Sequence, residues 1–471
     1  MIDFIKNKTT KLNRFSLIFV SGLIIFLSIV FYNWKFPLEG IHRHRQADTL
    51  FAAYSYCTEN GDFLKPKIAH RENTSGVAIG EFPLFSILVS SHCKLGMDWN
   101  EGFAKGLSLF CFALSALLWG LIVQSRLQKK LEWSLWFIIY FFIPLNLTHL
   151  SVPIPDALAL VFMGMAGYLW SLKSELKEKF ALVFFIVAII CSFLSFMIRP
   201  YLIPLIFFVT PIDLKLKKYI QYIGIQVTLM FFGYLFWYKN WINQSEIQYY
   251  ATELRTLQEL MVQIPKAIPP VIWQIIRNHL SIFGCIPFIY GAVVIYRQKF
   301  FNFKSFKLIH KIKYLFENYF VWILWLFSIL MVLLGKGTHV INHNYYLFAA
   351  GTLSVVLLAE GLSHFNLKWK TFMALGIVLN GLLSSYYLWN PKYGETSRQI
   401  EQIVKELQIK STDKIATYRG DVPITLYLAK RTGWMLFSDS FKGSCPQGAS
   451  FYILEKDPGR ITGGSCPSVA Q

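Results

Sequence analysis

The sequence predicts an all-α polytopic membrane protein of about eleven transmembrane helices, with further helices along its outer face and a small C-terminal α/β domain. Three observations predict it. Of 471 residues, 54% are hydrophobic, 17% aromatic and only 15% charged, too apolar for an ordinary soluble domain and too long for one small core. Apolar segments long enough to cross a bilayer recur along most of the chain. The basic residues fall into alternate loops between them.

The first segment centres on Leu17–Phe31, behind Lys6, Lys8, Lys11 and Arg14. It is too long, and too poor in a small-residue cleavage site, to be a removed signal peptide. Gly106–Ile122, Leu135–Leu147, Leu158–Trp170, Leu182–Ile198, Leu202–Ile212 and Ile223–Trp237 follow, then Ile282–Ile295, Val321–Leu334, Leu347–Leu362 and Met373–Leu388. The segments around Leu135 and Leu202 are the shortest. Arg126, Lys129 and Lys130 follow the second; Lys173, Lys177 and Lys179 follow the fourth. Lys215, Lys217 and Lys218, the stretch from Arg297 to Lys313, and Lys368 with Lys370 continue the alternation. By the positive-inside rule these loops are cytoplasmic, which places segments 34–100, 148–156, 239–280 and 336–343 and the C-terminus outside. The net charge of +19 is thereby explained as topology, and nucleic acid is excluded as a partner.

The long outer segment 34–100 is patterned. Ala47, Leu50, Phe51 and Tyr54 recur at helical spacing with Asp48 in the first turn on the neighbouring polar face, which predicts a helix lying on the membrane surface. Pro83 before Leu84, Phe85, Ile87, Leu88 and Val89 predicts a second. Asn60-Gly61 and the polar run His70–Gly80 supply turns and a stretch able to close over a substrate. The membrane body is read as residues 1–392, and 393–471 as a small outer α/β domain. There the helical patterns at Ile400–Leu407 and Ile424–Leu428 alternate with strand-like Lys414–Tyr418 and Ser450–Leu454. Cys57 with Cys93, and Cys445 with Cys466, lie in outer segments and are candidate disulfides; Cys111, Cys191 and Cys285 lie within spans.

Asp48, Glu81, Asp156, Arg199, His339 and His343 all fall at the outer ends of apolar segments. Ionisable groups are expensive there, so their clustering on one side points to a reaction centre at the outer face. Asp48 is placed to act as a base, while Arg45, Lys105, Arg199 and Lys336 offer cations for a phosphate, Arg being suited to a bidentate clamp. No phosphate-binding glycine loop or dinucleotide fingerprint is present, so no soluble-type nucleotide site is visible. Each acid also has an ordinary reading as a first-turn helix residue, and Arg199 as a headgroup-snorkelling one.

Arg45-Gln46-Ala47-Asp48-Thr49, Leu64-Lys65-Pro66-Lys67-Ile68 and Glu81-Phe82-Pro83-Leu84-Phe85 together resemble the first periplasmic loop of bacterial class-C (GT-C) membrane glycosyltransferases. The branch is that of the protein O-mannosyltransferases and aminoarabinose-lipid A transferases. Pro155-Asp156-Ala157-Leu158-Ala159-Leu160 and His343-Asn344-Tyr345-Tyr346 are similar to further signatures of that superfamily. The resemblance implies a GT-C body in the bacterial inner membrane with an N-terminus in the cytoplasm and a periplasmic C-terminal domain. It implies transfer, with inversion, of a sugar from a polyprenyl-phosphate donor to a hydroxyl of a lipid, glycan or protein acceptor. Asp48 matches the catalytic or acceptor-positioning acid, and Glu81 and Asp156 match the two other recurrent acids. His339, His343 and Tyr345 stand with Arg45, Lys105, Arg199 and Lys336 as the donor-phosphate set. Two positions depart from the pattern: Lys105 where arginine is common, and Asn344 where aspartate is common, which puts a role for 344 in doubt.

No cofactor is called for. A metal site from His42, His44, His339 and His343 is disfavoured because Arg43 and Arg45 would set cations beside the ion. The alternatives are a polysaccharide polymerase or ligase, and a transporter without chemistry. A transporter places its ionisable residues near the midplane, often in repeated halves, whereas here the span centres are nearly free of charge.

Overall fold

The computed structural model describes residues 14–34, 38, 42–59, 62–70, 72–78, 81–127, 132–172, 178–210, 216–239, 246, 256–303, 308–334, 344–388, 392–418, 422–436, 445–457 and 460–467. The chain is mainly helical: α1 (Arg14–Asn33), α2 (Arg43–Thr58), α3 (Leu84–Lys94), α4 (Glu101–Leu127), α5 (Trp133–Phe142), α6 (Pro144–His149), α7 (Asp156–Leu172), α8 (Glu178–Ile198) and α9 (Ile203–Val209). Then come α10 (Leu216–Tyr234), α11 (Leu257–Gln274), α12 (Ser281–Phe303), α13 (Leu308–Leu334), α14 (Phe348–Ser363), α15 (Leu367–Leu388) and α16 (Lys392–Glu406). Four helices are long and apolar enough to cross a membrane, within α1, α4, α8 and α10, and five shorter apolar helices accompany them among the described residues.

Every apolar segment read from the sequence is helical, but two are broken. The segment Leu135–Leu147 divides into α5 and α6 because Ile143, ahead of Pro144, is extended at φ −61° and ψ 130°. In the segment Leu202–Ile212 the helix α9 closes at Val209, where Thr210, ahead of Pro211, is also extended at φ −70° and ψ 130°. Proline disfavours helical backbone in the residue before it, which accounts for both breaks.

Small residues bring the helices together. Gly361 lies so close to α12 that a Cβ there would stand 2.0 Å from the Pro287 carbonyl oxygen, the close backbone approach that membrane helix pairs use.

The C-terminal unit is a four-stranded sheet in the order β2-β1-β3-β4, from β1 (Lys414–Tyr418), β2 (Thr432–Leu436), β3 (Phe451–Asp457) and β4 (Arg460–Ser465). Strand β1 is parallel to both neighbours and β4 antiparallel to β3. Between β1 and β2 the helix α17 (Val422–Ala429) crosses over and packs on α2. Cys57–Cys93 and Cys445–Cys466 are both disulfides.

The first outer segment departs from the surface-helix expectation. Gln46 through Ala53 are all buried, because α3 covers α2 on one side and α17 on another. Asp48, sixth in a helix that starts at Arg43, is only 5% exposed rather than on an outward polar face.

Candidate functional site

Four of the residues singled out by sequence meet in one buried ion-pair chain. Arg45 on α2 pairs with Glu81 Oε2, and the same oxygen accepts from Arg199 at the end of α8. Arg199 also donates to Asp156 Oδ2, at the first residue of α7, over 2.6 Å. Tyr201, in the helical turn after Arg199, donates to the other Asp156 oxygen. Five side chains separated by up to 156 residues thus share a single line of ion pairs and hydrogen bonds, with Asp156 1% and Arg199 4% exposed.

Local structure explains the meeting. The Phe82 amide donates to the Met197 carbonyl over 3.2 Å, which docks the Glu81 stretch onto the end of α8 just before Arg199. Ser86 on α3 donates to the Thr49 carbonyl over 3.0 Å and, with the Cys57–Cys93 bridge, locks α3 onto α2. Asp48 lies three residues beyond Arg45, hence on the same helical face. Its carboxylate is 3.9 Å from His70 Nδ1.

The remaining predicted residues are placed differently. Lys105 is fully buried and donates to the Trp34 carbonyl over 3.1 Å, with its ammonium 5.9 Å from the Trp34 ring centre. Lys336, His339 and His343 lie outside the described residues, as does the side chain of Tyr345. Its neighbour Tyr346 does reach the centre, with its ring 5.4 Å from that of Tyr201 and edge-on to it. His42 stacks on His149 at 5.3 Å. Among the described residues no three His, Cys, Asp or Glu side chains come together as a metal site.

Sequence reasoning missed Tyr201, His70 and Tyr346. Tyr201 had a usable signal, since it is two residues past the singled-out Arg199. His70 opened the polar run read as able to close over a substrate, but nothing in that run tied it to Asp48, because its fold depends on distant chain.

In this ion-pair chain two carboxylates, Glu81 and Asp156, face two guanidiniums, so both arginines are already engaged by acids. Below it, an apolar groove of about 370 Å³ runs between α8 and α10, lined by Ile189, Ile190, Phe193, Leu229, Phe232 and Phe236. Phe193 stands six residues before Arg199, about 9 Å along the helix.

Apolar helices around a buried outer cluster of acids and arginines define a polytopic membrane protein with a polar centre at one face. Its fold is similar to that of ArnT from Cupriavidus metallidurans. The structure bound to undecaprenyl phosphate matches with a TM-score of 0.52 at 10% identity, over 90% of this chain and 86% of that one. The apo structure matches with 0.51 at 9%, over 88% and 86%. An oligosaccharyltransferase from Archaeoglobus fulgidus matches with 0.48 at 13%, over 88% and 62%. No protein-family model and no curated sequence matches the chain. The likeness to ArnT is thus one of fold.

Proposed function

We propose that this chain is a bacterial inner-membrane glycosyltransferase that moves a sugar, with inversion, from a polyprenyl-phosphate donor to an acceptor hydroxyl at the periplasmic face. The observation that carries the reading is the ion-pair chain of Arg45, Glu81, Arg199 and Asp156 drawn from three stretches of the chain, with Asp48 one helical turn along from Arg45, on a fold shared with a protein solved bound to undecaprenyl phosphate.

In this reading Asp48 takes the proton of the acceptor hydroxyl as its oxygen attacks the anomeric carbon, and the polyprenyl phosphate leaves with the electron pair. Charge on the leaving phosphate needs cations. Arg45 and Arg199 are shared with acids, so in this reading Lys336, His339 and His343 supply further positive charge and Tyr345 a hydroxyl donor. The groove between α8 and α10 offers the isoprenyl chain an apolar bed leading toward Arg199.

The C-terminal unit belongs on the same side as the first outer loop. Lys414 donates to the Glu72 carbonyl over 2.8 Å, a contact impossible across a bilayer. That supports placing residues 393–471 on the side of the first outer loop, the periplasmic side in this reading, with an even number of spans between that loop and the tail.

The test is mass spectrometry of lipids and envelope glycans from cells with and without the gene. A species heavier by one sugar, present only with the gene, is the expected result. Identical profiles would reject the transferase reading in favour of a transporter.

A further inference from the structure

His70 stands in a hairpin closed by the Lys67–Val77 bridge, in which the Ile68 amide donates to the Gly76 carbonyl over 3.0 Å. The hairpin is held from outside. Gly433 of β2 donates to the Ala69 carbonyl over 3.2 Å and accepts from the Glu72 amide over 2.9 Å, bracketing His70 from both sides. Lys414 of β1 adds bonds to the Glu72 carbonyl and to Asn73 Oδ1. At the far end Glu246 accepts from Ser75 Oγ and the Gly76 amide. Position 433 requires glycine, because a Cβ there would lie 1.8 Å from the Ile415 carbonyl oxygen of β1.

We propose that His70 is a positioning residue for Asp48, and that the C-terminal unit, through Gly433, sets where His70 stands. The inference rests on Asp48 being the base. A buried carboxylate that must accept a proton on one oxygen is best fixed by a donor on the other. The imidazole Nδ1, the His70 atom nearest to Asp48 Oδ1 in their ion pair, is placed to supply that donor. Their 3.9 Å separation closes with a bridging water or with the tightening that substrate brings.

Burial lowers the pKa of His70 below the ordinary 6.5, opposed by the Asp48 and Glu72 carboxylates and assisted by nearby His44. The ring is therefore neutral at pH 7 and keeps a donor for Asp48 without adding charge. On acidification the imidazole gains a proton more readily unfolded than folded. Hairpin stability therefore declines as pH falls through 6.5 toward the folded-state pKa.

The test uses the full-length protein in phosphatidylethanolamine–phosphatidylglycerol nanodiscs. Histidine C2-hydrogen exchange, followed by mass spectrometry across pH, is expected to give His70 a midpoint below 6.5 that falls further in Asp48→Asn. A midpoint indifferent to that substitution overturns the contact. Gly433→Ala is expected to raise backbone exchange in residues 67–77 by about tenfold or more with the spans unchanged, since a local brace is lost; unchanged exchange overturns the role of the C-terminal unit.

Turnover is read on the sugar-bearing species found by the gene comparison. His70→Ala should lose about tenfold or more in kcat with undecaprenyl phosphate affinity within twofold, while His70→Asn, whose amide can donate from the Nδ1 place, should stay within about threefold of wild type. Equal losses in both variants overturn the positioning role. Absence of any product from the wild type sinks the transferase reading instead, and the exchange arms still decide the contact.

Discussion

Asp48 and Arg199 sit in neighbouring parts of one cluster, yet cutting each should do different damage. Asp48→Asn keeps the size and most polar contacts of the side chain and removes only its capacity to take a proton. We expect a loss of about 10²–10⁴ in kcat with undecaprenyl phosphate binding and thermal stability nearly intact; wild-type turnover in a membrane assay would remove Asp48 as the base. Arg199→Ala strips the shared partner from Glu81 and Asp156 and leaves carboxylates buried without it. Losing one side of a buried pair costs about 3–5 kcal/mol, so this variant should unfold at markedly lower temperature. An unchanged Tm with lost undecaprenyl phosphate binding would make Arg199 a donor clamp rather than a brace. Arg45, Glu81, Asp156 and Arg199 were legible in the sequence because a charge at the end of an apolar segment has few harmless places to go. Their pairing was not, since nothing in a linear pattern says which acid an arginine will meet.

Helices were legible for the same reason, as length and apolarity suffice to identify them, and the breaks at Pro144 and Pro211 follow from proline chemistry already visible in the chain. What the periodicity could not give was the covering of α2, because its cover arrives from the C-terminal unit. The bridge between α2 and α3 closes a loop of 36 residues. In the chain-entropy view a loop of that size stabilises by about 3–4 kcal/mol, so Cys57→Ser with Cys93→Ser should lower Tm and speed exchange at 84–94 first. Equal Tm values would show that packing alone holds the pair of helices. The groove offers a second element-scale test. A Cβ at Gly233 would meet the Phe193 ring at 2.4 Å, so Gly233→Leu should push Phe193 into the groove and weaken undecaprenyl phosphate binding. Unchanged binding would take the isoprenyl chain elsewhere.

At the scale of the whole molecule the C-terminal unit clamps onto the start of α4. Glu101, at the start of α4, accepts from Lys430 over 2.6 Å, from Tyr427 over 2.8 Å and from Trp99 over 3.0 Å. Lys430 also sits over the Tyr427 ring, 3.5 Å from its centre. No local pattern could have announced this, because Glu101 and Lys430 are 329 residues apart and each alone reads as an ordinary surface charge. The clamp sits partly in solvent, with side chains 22% and 25% exposed, so screening holds its worth to the order of 1 kcal/mol. That is small beside the stability of a membrane body and large beside the opening of one docked unit. Glu101→Ala should therefore leave Tm almost unchanged while trypsin releases the C-terminal unit several times faster. Exchange in residues 67–77 should quicken with it, because the β2 edge that braces the hairpin moves when the clamp opens. Faster proteolysis without faster exchange would mean that Gly433 holds the hairpin independently of the Glu101 contact. Unchanged proteolysis would mean that the α17 packing on α2, and not the ion pair, keeps the unit in place.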